Sequence, residues 1–469
     1  MNRFYHWLST SLDGKAGIKE IWEIAYPLIV STASGTVMMF ADRFFLSNYS
    51  KEALAASMPA GFTTFMCVSF FFGITGYVNS MVAQHYGADK HDKCGVIAWQ
   101  GLYVSLIGYV LLLLAAPLVA GLFKWVGHAP EIILLEQKYF RILMVGTVFL
   151  LFSNTVSSFF SGIGYSRIVM LSNVSGMLLN IPLSYGLIFG MEPLGIPSLG
   201  IAGAGYGTIL SQAVILAILL KEFFRHRYAV YRTRTGFLLN GSLFTQLIRF
   251  GVPSGVELSL SIAAFNLFLL VIGSLGTNEL AAVNLTLSWD LIAFLPQVGL
   301  GIAVASVTGK YVGAKDYVAA KRTPYSGLKM SFAYAMIFIF LFLTIPSFLV
   351  GLFGMAGDAG DFVQVKSLAI VLLRLAGLYV LADATHIIFG GALRGAGDTR
   401  FLMWNAIVLH WCVLTIPGVI LIKTQVINVV GAWIWLIFFL IVMSGVMILR
   451  FRGDRWSAIK VISDNYEKR

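Results

Sequence analysis

The chain has 469 residues, of which 58% are hydrophobic and only 12% are charged. Soluble globular proteins carry about 25% charged residues, so this composition excludes a soluble enzyme held by a single membrane anchor. The net charge of +11 is not that of a nucleic-acid-binding protein, because the basic residues do not gather in one domain. Three scattered cysteines without CxxC spacing predict neither a disulfide framework nor a zinc site. The composition predicts a polytopic membrane protein without a nucleic-acid partner.

Twelve apolar stretches along the chain are each long enough to cross a bilayer, which takes about 20 residues as a helix. Lipid offers no hydrogen-bond partner to an open sheet edge, so each stretch is predicted to be a helix. In chain order the stretches cover 21–47, 53–86, 95–123, 134–161, 168–190, 201–221, 247–275, 280–309, 327–353, 364–392, 401–423 and 427–449.

The loops between these stretches differ in their basic residues, and this difference predicts the orientation. With both termini inside, the inside segments hold 24 Lys and Arg and the outside loops hold six, while the other three of the 33 lie within spans or at their edges. Cytoplasmic loops of membrane proteins are enriched in Lys and Arg. We therefore expect a multi-pass protein of the inner or plasma membrane with both termini in the cytoplasm.

The two halves of the chain align with each other, which predicts an internal duplication. At an offset of 226 residues Pro27 falls on Pro253, and at an offset of 233 the segment 162–167 meets 395–400. Chance agreement among apolar segments is the alternative. Six spans per repeat is an even number, so both halves enter the membrane from the same side, and parallel repeats with the substrate path between them are expected.

The predicted fold class is therefore an all-α polytopic membrane protein with twelve transmembrane helices in two six-helix lobes, related by a pseudo-twofold axis along the membrane normal. The predicted parts are an N-lobe (1–220, spans 1–6), a cytoplasmic linker (221–246), a C-lobe (247–450, spans 7–12) and a cytoplasmic tail (451–469). A chain with two such halves is complete by itself, so we expect a monomer.

Four carboxylates lie well inside the apolar spans: Asp42, Glu257, Asp290 and Asp383. Insertion of each carboxylate at the bilayer centre is unfavourable by about 2.5–3.5 kcal/mol. We therefore expect these four residues to have a function. A structural hydrogen bond is the alternative for Asp383, and an ion pair with the adjacent Arg43 is the alternative for Asp42. The spans hold no equivalent set of basic residues, which favours a cationic rather than an anionic cargo.

Asp383 has the richest polar surroundings in the sequence. Tyr379 precedes it by four residues, so the phenol and the carboxylate share one face of a helix. Glu257 follows Pro253 by one turn, where a helix is often opened, and Asp290 stands beside Trp289. These residues are candidates for binding a coupling cation or a cationic substrate.

With these features the chain resembles the multidrug and toxic compound extrusion (MATE) transporters, and in particular their NorM-like branch. The resemblance covers nearly the whole chain. Its motifs are Ala41-Asp42-Arg43 after Pro27, Leu54-Ala55-Ala56, Gln84-His85-Tyr86-Gly87-Ala88, Asn180-Ile181-Pro182, Gly200-Ile201-Ala202-Gly203-Ala204, and Asp383 followed by Gly391-Ala392-Leu393-Arg394-Gly395.

The resemblance implies a secondary antiporter that exports cationic or amphipathic small molecules (multidrug efflux) in exchange for Na⁺ or H⁺. Asp42 matches an acidic position of the family's N-lobe, and Asn180 and Thr208 match polar positions near it. Ser184 stands where some proton-linked members have a second aspartate, which argues against a mechanism with two N-lobe aspartates.

In the C-lobe, Tyr379 and Asp383 match the NorM-like site, while Glu257 is about one turn nearer the proline than that branch's glutamate. The expected coupling site for Na⁺ or H⁺ is thus Asp383, Glu257 and Tyr379, with Asp290 as a further substrate or ion position. Rocking of the two lobes would change the side to which the cavity opens.

Two other classes of protein are alternatives. A lipid-linked oligosaccharide flippase of the same superfamily would need several basic residues for its anionic cargo, and the spans offer only Arg43 and Arg374. A membrane-embedded transferase would need a catalytic cluster in its loops, which are short and basic. Soluble catalytic and nucleotide-binding signatures are absent, so the sequence predicts a protein that is not an enzyme and uses no cofactor other than its coupling ion.

Overall fold

The structure, a computed structural model, describes residues 14–125, 128–191, 195–352 and 359–462, without the side chains of residues 359–362. Within these ranges twelve helical spans are long and apolar enough to cross a membrane. They are α1 (Ile18–Tyr49), α2 (Lys51–Gly87), α3 (His91–Trp125), α4 (Pro130–Gly162), α5 (Ser166–Phe189), α6 (Ile201–Phe223), α7 (Gly241–Gly273), α8 (Thr277–Gly313), α9 (Tyr317–Thr344), α10 (Ala359–Ala396), α11 (Thr399–Lys423) and α12 (Val429–Arg452). The all-α class and the number of spans are confirmed.

One predicted span end is wrong. The ninth apolar stretch continues to residue 353, but α9 ends at Thr344. Pro346 then begins a separate short helix, Pro346–Gly351. A proline ring clashes with the carbonyl four residues earlier and lacks an N–H, which weakens a helix at that point; the apolar run breaks here, whereas α1 and α7 continue through Pro27 and Pro253.

A proline also changes the geometry of α11. Its middle part, Ala406–Thr415, is π-helical, and Pro417 follows directly in the last part. The indole N–H of Trp435 on α12 donates to the carbonyls of Val413 and Leu414, at 3.1 and 3.2 Å. Trp435 thus satisfies the carbonyl that the proline leaves without a backbone donor.

The described chain forms two compact units. The N-unit contains residues 30–259, and the C-unit contains residues 14–29 together with 260–460. Helices α1 and α7 each begin in one unit and end in the other, and the change follows Pro27 in α1 and Pro253 in α7. Division at the 221–246 linker stays a prediction, but the two crossing helices are the pair that the 226-residue offset relates.

The glycine-rich segment after α10 is fixed by an ion pair with α12. The Asp398 carboxylate accepts hydrogen bonds from Nε and Nη2 of Arg450, at 2.7 and 3.1 Å. The guanidinium also lies over the Phe401 ring, 4.7 Å from its centroid. Asp398 is only 3% exposed, so a bidentate partner is what makes its burial tolerable.

Candidate functional site

The N-unit holds a buried polar cluster around Asp42 of α1. Asp42 is 7% exposed, and its Oδ2 accepts a hydrogen bond from the Thr208 hydroxyl of α6 at 2.8 Å. Its Oδ1 is buried without a hydrogen-bond partner. The α5 side chains of Asn180 and Ser184 also face the carboxylate, and the Asn180 amide donates to the Ser184 hydroxyl at 3.2 Å. Three helices thus surround one carboxylate with neutral polar groups.

Close packing of α5 against α6 builds this cluster. A Cβ atom at Gly207 would lie 2.5 Å from Oγ of Ser184, and one at Gly203 would lie 2.3 Å from the Leu187 carbonyl oxygen. Only glycine fits at such distances, and its spacing of four residues is the one that brings membrane helices into backbone contact. The packing sets Thr208 and Ser184 beside each other, where both reach Asp42.

The C-unit holds a second polar cluster, made by α8 and α10, in which Asp290 and Asp383 are partly buried. The Tyr379 hydroxyl donates to Oδ1 of Asp290 at 2.8 Å, and the tyrosine is 4% exposed. Asp383, one turn after Tyr379, lies close enough to Asp290 for the two charges to repel each other. The structure therefore brings together three predicted residues and pairs the tyrosine with Asp290 instead of Asp383.

Glycines again explain why the helices meet here. A Cβ at Gly391 would lie 2.4 Å from the Gly301 carbonyl oxygen, and one at Gly395 would lie 2.3 Å from that of Ala305. The motif that contributed most to the family resemblance is thus a packing surface. It holds α10 against α8, the pair that carries Tyr379 and Asp290.

Glu257 is the one residue of the predicted coupling site that lies in the N-unit. It lies on the part of α7 that packs in the N-unit, whereas Asp383 and Tyr379 belong to the C-unit. Among the described residues, no three His, Cys, Asp or Glu side chains gather as a metal-binding group. A joint role of Glu257 with Asp383 and Tyr379 stays a prediction.

His386 is a titratable residue near the C-unit cluster that is not among the predicted site residues. His386 follows Asp383 by three residues on α10, and neither of its buried ring nitrogens has a hydrogen-bond partner. A histidine three residues from a partly buried aspartate was the available signal, because residues at this spacing share a helix face.

Basic residues do not neutralise the two clusters. Within the described ranges no Lys, Arg or His forms an ion pair with Asp42, Asp290 or Asp383, and Arg43 makes none with the adjacent Asp42. The ion pair considered for Asp42 is absent because neighbouring residues on a helix point about 100° apart. Both clusters combine carboxylates with hydroxyl, phenol and amide groups, which are ligands suited to a cation or a proton.

The MatE family model matches the chain over residues 27–186 and 253–421. The chain belongs to the MatE family. The two matches begin at Pro27 and Pro253, so they repeat at the 226-residue offset and support the internal duplication.

Relatives of the chain carry names from the same family. It is 30% identical to the probable multidrug resistance protein NorM of Pseudomonas putida, over 84% of this chain and 86% of that protein. It is 27% identical to a probable NorM of Bradyrhizobium diazoefficiens over 92% of both chains. The multidrug resistance protein PmpM of Pseudomonas aeruginosa is 26% identical over 86% of this chain and 84% of that protein. The chain is thus a NorM-like MATE transporter, a multi-pass membrane protein and not an enzyme.

Solved structures show the same fold. An outward-facing multidrug resistance MATE family transporter of the MOP superfamily superposes with a TM-score of 0.85 at 23% identity, covering 95% of this chain and 97% of that one. A MOP superfamily transporter from Pyrococcus furiosus superposes with a TM-score of 0.84 at 23% identity, covering 96% and 98%.

Proposed function

We propose that the chain exports cationic or amphipathic small molecules from the cell in exchange for Na⁺ or H⁺. The observation that carries this proposal is the absence of basic partners around Asp42, Asp290 and Asp383 in the described residues. The names of the relatives as multidrug resistance proteins support the substrate class.

Energetics supports a cation or a proton as the missing partner. An unpaired carboxylate in a medium of low dielectric is far less stable than in water, so it must be protonated or neutralised by a bound cation. In the C-unit two carboxylates must be neutralised, because Asp290 and Asp383 lie near each other and their charges repel. In the N-unit the unpartnered Oδ1 of Asp42 is a free acceptor.

Competition for these carboxylates would couple the two fluxes. A bound cationic substrate neutralises the carboxylates and so weakens binding of the coupling ion. A bound coupling ion weakens binding of the substrate in the same way. We assign Asp383, Tyr379 and Asp290 to one such site and Asp42, Asn180 and Thr208 to another. Glu257 on α7 is proposed as a further contributor to ion coupling.

The orientation of the chain in the membrane is a further part of the proposal. With 24 basic residues in the terminal segments and the loops after even-numbered spans, and six in the loops after odd-numbered spans, we place both termini in the cytoplasm of a cell whose inner or plasma membrane holds the protein. We propose that the monomer is the working unit, since each chain carries both halves.

Transport by purified protein in liposomes tests the proposal. A fluorescent lipophilic cation is loaded, and Na⁺ and pH gradients are imposed separately. We expect one of the gradients to drive cation movement and Asp383→Asn to lower the rate at least about tenfold, because it removes a carboxylate that must be neutralised. Asp89→Asn, which removes an exposed loop carboxylate, is the matched control.

Two results would reject the proposal. One is a full transport rate in the inserted, folded Asp383→Asn protein. The other is transport of a labelled lipid-linked oligosaccharide without any movement of the cation, which is the outcome expected of the flippase alternative.

A further inference from the structure

An apolar tripeptide is exposed on the linker between α6 and α7. Phe237, Leu238 and Leu239 are 51%, 70% and 66% exposed, although they are not part of a membrane-crossing helix. Burial of such side chains is favourable, so three adjacent exposed ones mark a surface that meets something apolar.

The linker backbone is bound tightly to α3, so the exposure of the tripeptide is built into the fold. The Trp99 indole donates to the Thr233 carbonyl at 2.9 Å, and the Tyr103 hydroxyl donates to the Phe237 carbonyl. The Gln100 side chain donates to the Leu238 carbonyl at 3.3 Å and accepts from the Asn240 N–H at 3.2 Å. The Phe237 ring also packs edge-on against the Trp99 ring of α3, with the centroids 6.5 Å apart, so α3 holds the tripeptide while much of its apolar surface stays exposed.

The length of α3 places the tripeptide near the edge of the hydrocarbon layer. The span has 35 residues, which correspond to about 52 Å, whereas the hydrocarbon core is about 30 Å thick. The charged residues of α3 lie at its two ends, in the first turn and at Lys124, and from Leu106 to Phe123 the span is apolar apart from Tyr109. Since Tyr103 contacts the Phe237 carbonyl, the tripeptide lies at the level of the lipid headgroups and upper acyl chains.

Basic side chains stand beside this apolar surface. An open pocket of about 480 Å³ is lined by Lys93 and Arg232 together with Asn240, Leu238 and Leu239. The two cations share one carboxylate, Asp92, which is 3.9 Å from Lys93 and 4.0 Å from Arg232 and is itself 42% exposed. These contacts are long, so the pocket keeps a surplus of positive charge.

We propose that this linker surface binds an anionic phospholipid from the leaflet that it faces. Lys93 and Arg232 hold the phosphate, and Asn240 is a further polar contact for the headgroup. Leu238 and Leu239 lie along the acyl chains. Basic residues near a membrane surface attract anionic lipids, and aliphatic side chains beside them bind the chains, so the combination recognises a lipid and not a soluble anion.

Native mass spectrometry of the purified, delipidated protein tests this. Phosphatidylglycerol and phosphatidylcholine are added in turn, and the fraction of protein with bound lipid is measured. We expect tighter binding of phosphatidylglycerol, weakened at least about fivefold in Lys93→Gln/Arg232→Gln because two phosphate contacts are lost. Arg225→Gln/Arg227→Gln is the matched control: it removes the same charge from the same linker, but these arginines pair with Glu222 at 3.0 and 2.9 Å.

A second variant separates a lipid from a free anion. Leu238→Ser/Leu239→Ser changes only well-exposed side chains, so folding is preserved. We expect this variant to bind phosphatidylglycerol more weakly although both basic residues remain. Inorganic phosphate at 100-fold excess should not displace the lipid. Three results would each overturn the proposal. They are an equal loss of lipid binding in Lys93→Gln/Arg232→Gln and Arg225→Gln/Arg227→Gln, equal binding of the two lipids, and displacement of the lipid by inorganic phosphate.

Discussion

The Thr208 hydroxyl helps to hold the Asp42 carboxylate. Thr208 donates to its Oδ2 at 2.8 Å, while Oδ1 has no partner. The hydroxyl therefore fixes the orientation of the carboxylate without neutralising it. A hydrogen bond to a charged acceptor contributes about 1.5–3 kcal/mol, which is enough to keep one rotamer.

Thr208→Val removes this donor while keeping the shape of the side chain. We expect it to lower the transport rate about five- to tenfold, because the carboxylate loses its orientation and is harder to keep charged. Thr208→Ser keeps the hydroxyl and should retain most of the rate. Equal rates for the Val variant and the wild type, at equal amounts in the membrane, would contradict a role for this bond.

Sequence reasoning at this scale could find the carboxylates but not their partners. A charge inside an apolar span is visible because of its cost, so Asp42, Asp290 and Asp383 all stand out. The four-residue spacing predicted that Tyr379 and Asp383 share a helix face. The Tyr379 hydroxyl, however, donates its hydrogen bond to Asp290 on another helix. Contacts between helices depend on tertiary packing, which a one-dimensional pattern does not contain.

The pairing of α8 with α10 is the element on which the C-unit cluster depends. The two backbones touch where Gly391 meets the Gly301 carbonyl. Adjacent Gly390 has no atom within 4 Å of the place where a Cβ would lie. Packing therefore requires glycine at position 391 but not at position 390.

Gly391→Ala should destabilise the protein by about 1–3 kcal/mol, since the added methyl group forces the helices apart. Gly390→Ala should leave stability equal or slightly higher, because alanine is the better helix former by about 1 kcal/mol. Thermal unfolding of the two purified variants, followed by circular dichroism, measures the difference. Equal unfolding temperatures would contradict the packing argument.

At the element scale the twelve spans were predictable and their interruptions only partly so. Hydropathy alone located every span because lipid requires a long apolar helix. The end of α9 at Thr344 was not predictable from Pro346 alone, since α1 and α7 continue through Pro27 and Pro253. The exposure of the tripeptide Phe237-Leu238-Leu239 could not be predicted, because a run of three apolar residues by itself predicts burial. Its exposure depends on the backbone contacts, which the sequence does not contain.

Across the whole molecule the two repeats have diverged at the ends of their crossing helices. In the C-unit, Glu20 of α1 accepts hydrogen bonds from Lys310 at 2.8 Å and Tyr311 at 2.7 Å. At the 226-residue offset the matching positions are Gln246, Gln84 and His85. An ion pair in one half thus corresponds to two neutral amides in the other.

Glu20→Gln imitates the other repeat and should cost about 1 kcal/mol, because Lys310 is 40% exposed and the pair is partly screened. We expect the unfolding temperature of the wild type to fall with added salt and that of the variant to respond less. Gln246→Asn, in the matching position, is the control. Identical salt responses in wild type and Glu20→Gln would contradict a stabilising ion pair.

The polar clusters have diverged in the same way. The N-unit cluster uses α1, α5 and α6, whereas the C-unit cluster uses α8 and α10, which correspond to α2 and α4 of the first repeat. Asp42 falls on Phe268 at the 226-residue offset, and Asp290 falls on Thr64. The duplication was visible from the sequence, but the divergence of the clusters required knowing which helices meet.

Competition between a cationic compound and the coupling ion for the buried carboxylates is the central claim, and equilibrium binding tests it most directly. Fluorescence polarisation of a lipophilic cation is measured on the purified protein while Na⁺ and pH are varied separately. The account predicts that the apparent Kd rises in proportion to one of the two ions, and that Asp42→Asn/Asp383→Asn removes this dependence. A Kd that is the same at every Na⁺ concentration and pH in the wild type would contradict it.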